Sequence, residues 1–165
     1  MDIRLATLSD LQTLSELCIH SKSSWGYSKD FMRACAQELS FTSSDFEESF
    51  ILVAELEGQV CGVAQLSELY SLPVEFLQRG NSSGILELVK LFIDPDTFRK
   101  GVGHKLFFSC VTRAQQLGAS DLLIISDPYA QAFYEKMGAE PKGHVLSETG
   151  TDRWLPFLNF SLKQA

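Results

Sequence analysis

The sequence contains no apolar run long enough to span a membrane. Its opening, MDIRLATLSD, has no apolar core of the kind a secretory signal needs. A cytoplasmic protein without a membrane partner is therefore expected. Basic residues are scarce: 14 Lys and Arg face 21 Asp and Glu, a formal net charge of −7, which makes nucleic acid a poor partner. Metal spacing is missing. Cys18, Cys35, Cys61 and Cys110 are scattered, each in an apolar pattern, and read as buried thiols of a reducing compartment. His20, His104 and His144 are no better grouped, so no metal is expected and no His is spaced to activate a cysteine nucleophile. Two phosphate signatures are absent as well. A P-loop needs Lys-Ser or Lys-Thr after its last glycine, where this chain has His104-Lys105-Leu106. A dinucleotide fingerprint needs a third glycine, where this chain has Leu106.

What is present centres on Leu86 to Lys105, LELVKLFIDPDTFRKGVGHK. Leu86, Leu88, Leu91, Phe92 and Ile93 are dense enough for a buried strand, and Asp94-Pro95-Asp96 stops it because proline cannot donate to a sheet. Arg99-Lys100-Gly101-Val102-Gly103-His104 follows. Two glycines let backbone approach a ligand, and apolar residues from Leu106 to Leu117 recur at helical spacing up to Gly118. A glycine loop opening a helix aims free N–H groups and the positive dipole end at one spot, which suits an anion. Lys90, Arg99, Lys100 and Lys105 cluster in the same stretch, either to hold that anion or as a solvated helix start. The remaining surface is then more acidic still, which favours a cationic substrate such as an amine. With 165 residues and 45% apolar content, one domain over residues 1–165 is expected.

The same stretch resembles the GNAT acyltransferase superfamily, in which a strand ending L-Y-V-x-P leads to a Q/R-x-x-G-x-G/A loop. Here the strand ends Leu91-Phe92-Ile93-Asp94-Pro95, and the loop is Phe98-Arg99-Lys100-Gly101-Val102-Gly103, with Phe98 where Gln or Arg is usual. A second match is D-P-Y-A-Q-A-F-Y-E-K-M-G from Asp127 to Gly138, against N-P-x-A-x-x-F-Y-E-K-x-G, with Asp127 in place of Asn. Weaker ones are I-R-x-A-x-x-x-D at the start and V-A-E-x-x-G-x-x-x-G at Val53 to Gly62. The resemblance covers most of the chain in order. It implies a GNAT-like α/β (α+β) fold: a mixed, mostly antiparallel sheet with helices on both faces, splayed at the central strand. It also implies acetyl-CoA as cofactor and transfer of an acetyl group to a primary amine, on a small molecule or a peptide.

Site residues follow from the same resemblance. Leu91, Phe92, Ile93, Arg99, Lys100, Gly101, Val102, Gly103, His104 and Asp127 would bind the cofactor, although a carboxylate at Asp127 sits awkwardly beside an anion. Tyr134 would be the general acid that protonates the leaving thiolate, and Glu87 the base, with Glu68 or water as other candidates. Trp25 and Tyr27, flanking Gly26, would form one wall of the acceptor site or plug a gap between helices. A non-catalytic acyl-CoA-binding sensor is the rival that Phe98 and Asp127 favour. The acceptor's identity and a homodimer stay open.

The rest of the chain reads more locally. Ser28 should cap a helix through Phe31, Met32 and Cys35, and Leu39 to Asp45 reads as a polar loop. Glu57-Gly58 should turn a hairpin, and Leu69 to Gly84 reads as an irregular excursion containing Val74, Phe76 and Leu77. Leu122 to Ile125 should be a buried strand, Tyr129 to Met137 a helix stopped by Gly138, and residues 141–162 two strands joined by a loop with acidic residues.

Overall fold

Side-chain oxygens placed just ahead of apolar runs determine where the first helices begin. In the computed structural model, which describes residues 1–68, 84–147, 149 and 152–164, Ser28 Oγ accepts from the Phe31 amide and starts α2, Lys29–Leu39. Thr7 and Asp10 make a capping box ahead of α1, Leu11–Ser23. Thr42 and Asp45 make a second box that starts a short helix, α3, Ser43–Glu48. The expected polar loop over Leu39 to Asp45 is therefore corrected: T-S-S-D is a helix start. Serines on the exposed side conceal it, because they carry no apolar period.

Among the described residues, seven strands follow the order β1-β2-β3-β4-β5-β7-β6 in one mixed, mostly antiparallel sheet. They are β1 (Asp2–Leu5), β2 (Ser49–Leu56), β3 (Gln59–Ser67), β4 (Ile85–Ile93), β5 (Asp121–Ile125), β6 (Glu140–Leu146) and β7 (Trp154–Ser161). The remaining helices are α4, Val102–Gln116, and α5, Gln131–Met137. Glu57-Gly58 turns β2 into β3, as expected. Of the excursion from Leu69 to Gly84 only Gly84 is described. Val74, Phe76 and Leu77 lie outside the described residues, as do Glu148, Gly150 and Thr151 of the loop between β6 and β7.

The chain forms two compact units, Met1–Gln65 with Lys90–Ser109, and Leu66–Val89 with Cys110–Ala165. In the first unit, strand alternation gives β3 two different faces. Val63 joins Leu14, Leu17, Cys18, Cys35, Leu39, Phe41, Ile51 and Val53 in a core under α1 and α2. Gly62 faces the other way. A Cβ there would stand 2.9 Å from Ile93 Cδ1 and 3.1 Å from Val102 Cγ1, so the bare glycine is what lets the start of α4 press onto β3.

In the second unit, β4 pairs in parallel with β5 from Ile85↔Asp121 to Leu88↔Ile124, and β5 pairs antiparallel with β7. That parallel register covers only the first part of β4, which runs on to Ile93. Leu123, Val145 and Phe157 form a core there, flanked by Ile85, Ile125 and Leu155. All four cysteines are free and buried. Burial pushes the Cys18 and Cys110 thiols up to about 12. Among the described residues no cluster of His, Cys, Asp and Glu could hold a metal, and no helix is long and apolar enough to cross a membrane.

Candidate functional site

The loop between β4 and α4 is built from backbone. Asp94 N donates to Cys61 O at 2.9 Å, anchoring the end of β4 to β3, and the Asp94 carboxylate accepts from Asp96 N at 3.0 Å. A 3₁₀ turn over Pro95–Thr97 follows. Arg99 and Gly101 then adopt left-handed conformations, at φ 64° and 80°. A Cβ on Gly101 would meet nothing within 4 Å, so the loop opens on that side. The first amide taken up by α4 is that of Lys105, which donates to Gly101 O at 3.0 Å. The amides of Val102, Gly103 and His104 lie in the first turn, ahead of any intrahelical carbonyl, and have no acceptor among the described residues. Three donors are thus left unused in one turn of a fifteen-residue helix, an arrangement that suits an anion.

Side chains at the loop divide by role. Val102 and Leu106 are buried, while Arg99, Lys100 and His104 are exposed. The His104 ring lies 4.7 Å from Phe108, one turn along α4. The expected four-cation cluster is smaller in the folded chain. Lys105 Nζ donates to the Met1 carbonyl, and Lys90 points to the α1–α2 side of the sheet, with its ammonium 4.6 Å from the Phe41 ring centroid. Arg99 and Lys100 are the cations left at the loop. On β4 itself, Leu91, Phe92 and Ile93 are half-buried, Phe92 against the α1–α2 core and Ile93 over Gly62.

Trp25 and Tyr27 separate. Trp25, 38% exposed, has its ring 6.3 Å from that of Phe98 on the glycine loop. Tyr27 packs 4.4 Å from Phe31 of α2, with the Lys22 ammonium 5.7 Å from its ring. Tyr27 thus lies between Lys22 of α1 and Phe31 of α2, while Trp25 reaches the glycine loop.

The second unit holds the candidate acid and base, Tyr134 and Glu87. Tyr134 sits on α5 and is only 6% exposed. Burial drives its phenol well above the ordinary tyrosine value, and the nearby Cys110 and Asp127 add to the rise. It keeps its proton throughout the neutral range. Asp127 caps the turn into α5: Oδ1 accepts from Tyr129 N at 3.0 Å, and Oδ2 accepts from Arg153 Nη2 at 3.0 Å. Both side chains of that ion pair are mostly buried. The awkward carboxylate expected from sequence is thereby offset by a guanidinium that sequence reading did not single out. Nothing local could have signalled it, since the partners are 26 residues apart. Glu87 is 3% exposed on β4, opposite Leu123 of β5, whereas Glu68 is exposed just past β3.

Comparison with known proteins gives these features a context. The sequence profile described as the acetyltransferase (GNAT) family matches residues 15–139. No curated protein matches the chain. Among solved structures, a GCN5-related N-acetyltransferase from Rhodopseudomonas palustris superposes with a TM-score of 0.71 at 19% identity, over 97% of this chain and 94% of that one. yncA of Salmonella typhimurium, a structure containing acetyl-CoA, gives 0.66 at 19%, over 98% and 94%. The paia N-acetyltransferase of Thermoplasma acidophilum, in complex with coenzyme A, gives 0.65 at 17%, over 98% and 99%. At such identities the likeness establishes the fold.

Proposed function

The chain belongs to the acetyltransferase (GNAT) family, and from that premise we propose that it uses acetyl-CoA to acetylate a primary amine, with Tyr134 as the proton donor. The observation that carries the proposal is the cradle at the start of α4: the amides of Val102, Gly103 and His104 have no acceptor among the described residues, and the Gly101 side is open. A diphosphate fits such donors, because each N–H⋯O⁻ bond there is charge-assisted. Arg99 and Lys100 add exposed positive charge, and Trp25 and Phe98 offer an apolar rim beside it. Leu91, Phe92 and Ile93 are the strand residues along which the cofactor's arm would lie, with the Leu91 N–H offered to the thioester carbonyl.

Acetyl-CoA supplies an activated acyl group on a thiol leaving group. The chain's task is to orient an amine, remove its proton and return one to sulfur. Tyr134 has a proton to give at any neutral pH. An ordinary tyrosine lies about 1.5 pKa units above a thiol, a transfer costing roughly 2 kcal/mol. Burial widens that gap for the phenol, and a thiolate desolvated beside it rises in the same direction. Asp127, held by Arg153, would keep the turn ahead of Tyr134 in place while its negative charge is offset. Glu87 is the base in this reading. As a carboxylate buried on β4, it would accept the ammonium proton directly or through water.

Thiol release from acetyl-CoA over an amine panel, with calorimetry for cofactor binding, tests the proposal. Acetyl-CoA should bind, and some amine should release thiol. Binding without release from any amine would make the chain a sensor of acyl-CoA and retire Tyr134 as an acid.

A further inference from the structure

Lys90 is a cation of the central stretch that lies away from the glycine loop, on the α1–α2 side of the sheet. Its ammonium lies over the Phe41 ring and donates to Gln65 Oε1 at 3.0 Å. Gln65 is itself buried, and its orientation is set from behind: Nε2 donates to Asp45 Oδ1 and to Ser49 Oγ, each at 3.0 Å. With both amide protons spent there, the carbonyl must face Lys90. Asp45 is held in turn by the Thr42 amide at 2.7 Å and the Thr42 hydroxyl at 2.8 Å. Burial pushes the Asp45 carboxyl up, but Thr42, Gln65 and the charge on Lys90 pull it below its ordinary value. The result is a braced relay from Thr42 through Asp45 and Gln65 to Lys90.

Such bracing is more than a sheet needs in order to tolerate a lysine, which could extend its head into water at little cost. An ammonium has three donors. One is used on a neutral amide, and no carboxylate among the described residues lies within salt-bridge distance of Lys90. The cofactor's phosphates are not candidates for the remaining donors, because their cradle lies at the start of α4, on the opposite face of β3 from Gln65 and Phe41. With Asp45 ionised one residue behind and already facing part of the Lys90 charge, the position suits a singly charged anion better than a doubly charged one.

We propose that Lys90, set by Phe41 and by Gln65 on the α1–α2 side of β4, is the anchor for a carboxylate carried by the acceptor amine. This rests on the transferase reading and narrows it. The acceptor becomes an amino acid or another amine bearing a single anionic group, so it is zwitterionic rather than simply cationic.

Two measurements on the full chain loaded with coenzyme A separate this proposal from the reading it rests on. In the first, acetate is titrated in while the Gln65 side-chain amide is followed by ¹H–¹⁵N NMR. A saturable shift is expected that Lys90→Arg keeps and Lys90→Met loses. Absence of the shift in the unaltered chain, or its persistence in Lys90→Met, overturns the site. A stronger response to phosphate than to acetate overturns the carboxylate assignment. In the second, leucine and phenylalanine are compared with their amides as acceptors. Lys90→Met should raise KM for the acids roughly tenfold or more, as loss of a charge-assisted contact does, and leave the amides within about twofold. Equal effects on acid and amide overturn the site and leave the transferase reading intact. Acetate binding with no thiol release from any amine does the reverse.

Discussion

The glycine loop at the start of α4 offers its chemistry through the backbone, while the turn into α5 offers its chemistry through buried side chains. At the loop, the amides face outward, the glycine side is open, and the charged side chains reach into solvent. At the turn, Tyr134, Asp127 and Arg153 are all largely shielded, and Asp127 is set by the Arg153 guanidinium and by the turn it caps. Main-chain donors need little support, because the helix itself holds them. A phenol and an ion pair have to be surrounded to be held. The two regions should therefore answer mutation in opposite ways: the loop to changes of backbone conformation, the turn to changes of single atoms.

The largest expected effect belongs to the turn. Tyr134→Phe removes one oxygen and should lower thiol release by roughly 10²- to 10⁴-fold, the usual range for losing a general acid, with calorimetric affinity for coenzyme A unchanged. Because burial raises the phenol above its ordinary value, the protonated form persists as pH rises. Any fall in rate on the alkaline side caused by Tyr134 should thus begin above pH 10. A fall between pH 8 and 9 would have to come from another group.

Next in size is a change of conformation at the loop. Gly101→Val places a β-branched residue at φ 80°, which costs about 1–2 kcal/mol. No packing is lost, since a Cβ there meets nothing within 4 Å. Coenzyme A affinity should fall roughly five- to thirtyfold as the loop relaxes, while Tm shifts little. An unchanged affinity would show that the cradle is not the phosphate site. Smallest is the combined Arg99→Ala and Lys100→Ala change. These exposed charges are screened, so only a few-fold loss is expected, and it should shrink further in about 1 M salt. A loss comparable to that of Gly101→Val would mean that the loop binds through side chains after all, and the contrast between the two regions would dissolve.

That contrast also explains what could be read from sequence. Strand ends, Ser28 and Gly101 act on their own neighbours, so their consequences are written locally, and β4, α2 and the loop lie where expected. The T-S-S-D start of α3 was equally local but carried no apolar period to attract notice. What stayed hidden depends on distant partners. Arg153 neutralises a residue 26 positions away, and Lys90 meets Gln65 across 25. Read along the chain, Lys90 belongs with Arg99 and Lys100. Folded, strand alternation turns it to the α1–α2 face of the sheet, where it meets Phe41 and Gln65. The shielding of Tyr134 likewise arises from packing that no single motif encodes.

The four cysteines are spread through both units, and every one is enclosed. With the Cys18 and Cys110 sulfurs protonated up to about pH 12, an alkylating reagent at neutral pH has almost no thiolate to attack while the fold is closed. Each modification would then mark a moment when the surrounding structure had come apart. The wild-type chain thus contains its own clock for opening, with hands at Cys18, Cys35 and Cys61 in one unit and at Cys110 in the other, and needs no engineered label to be timed.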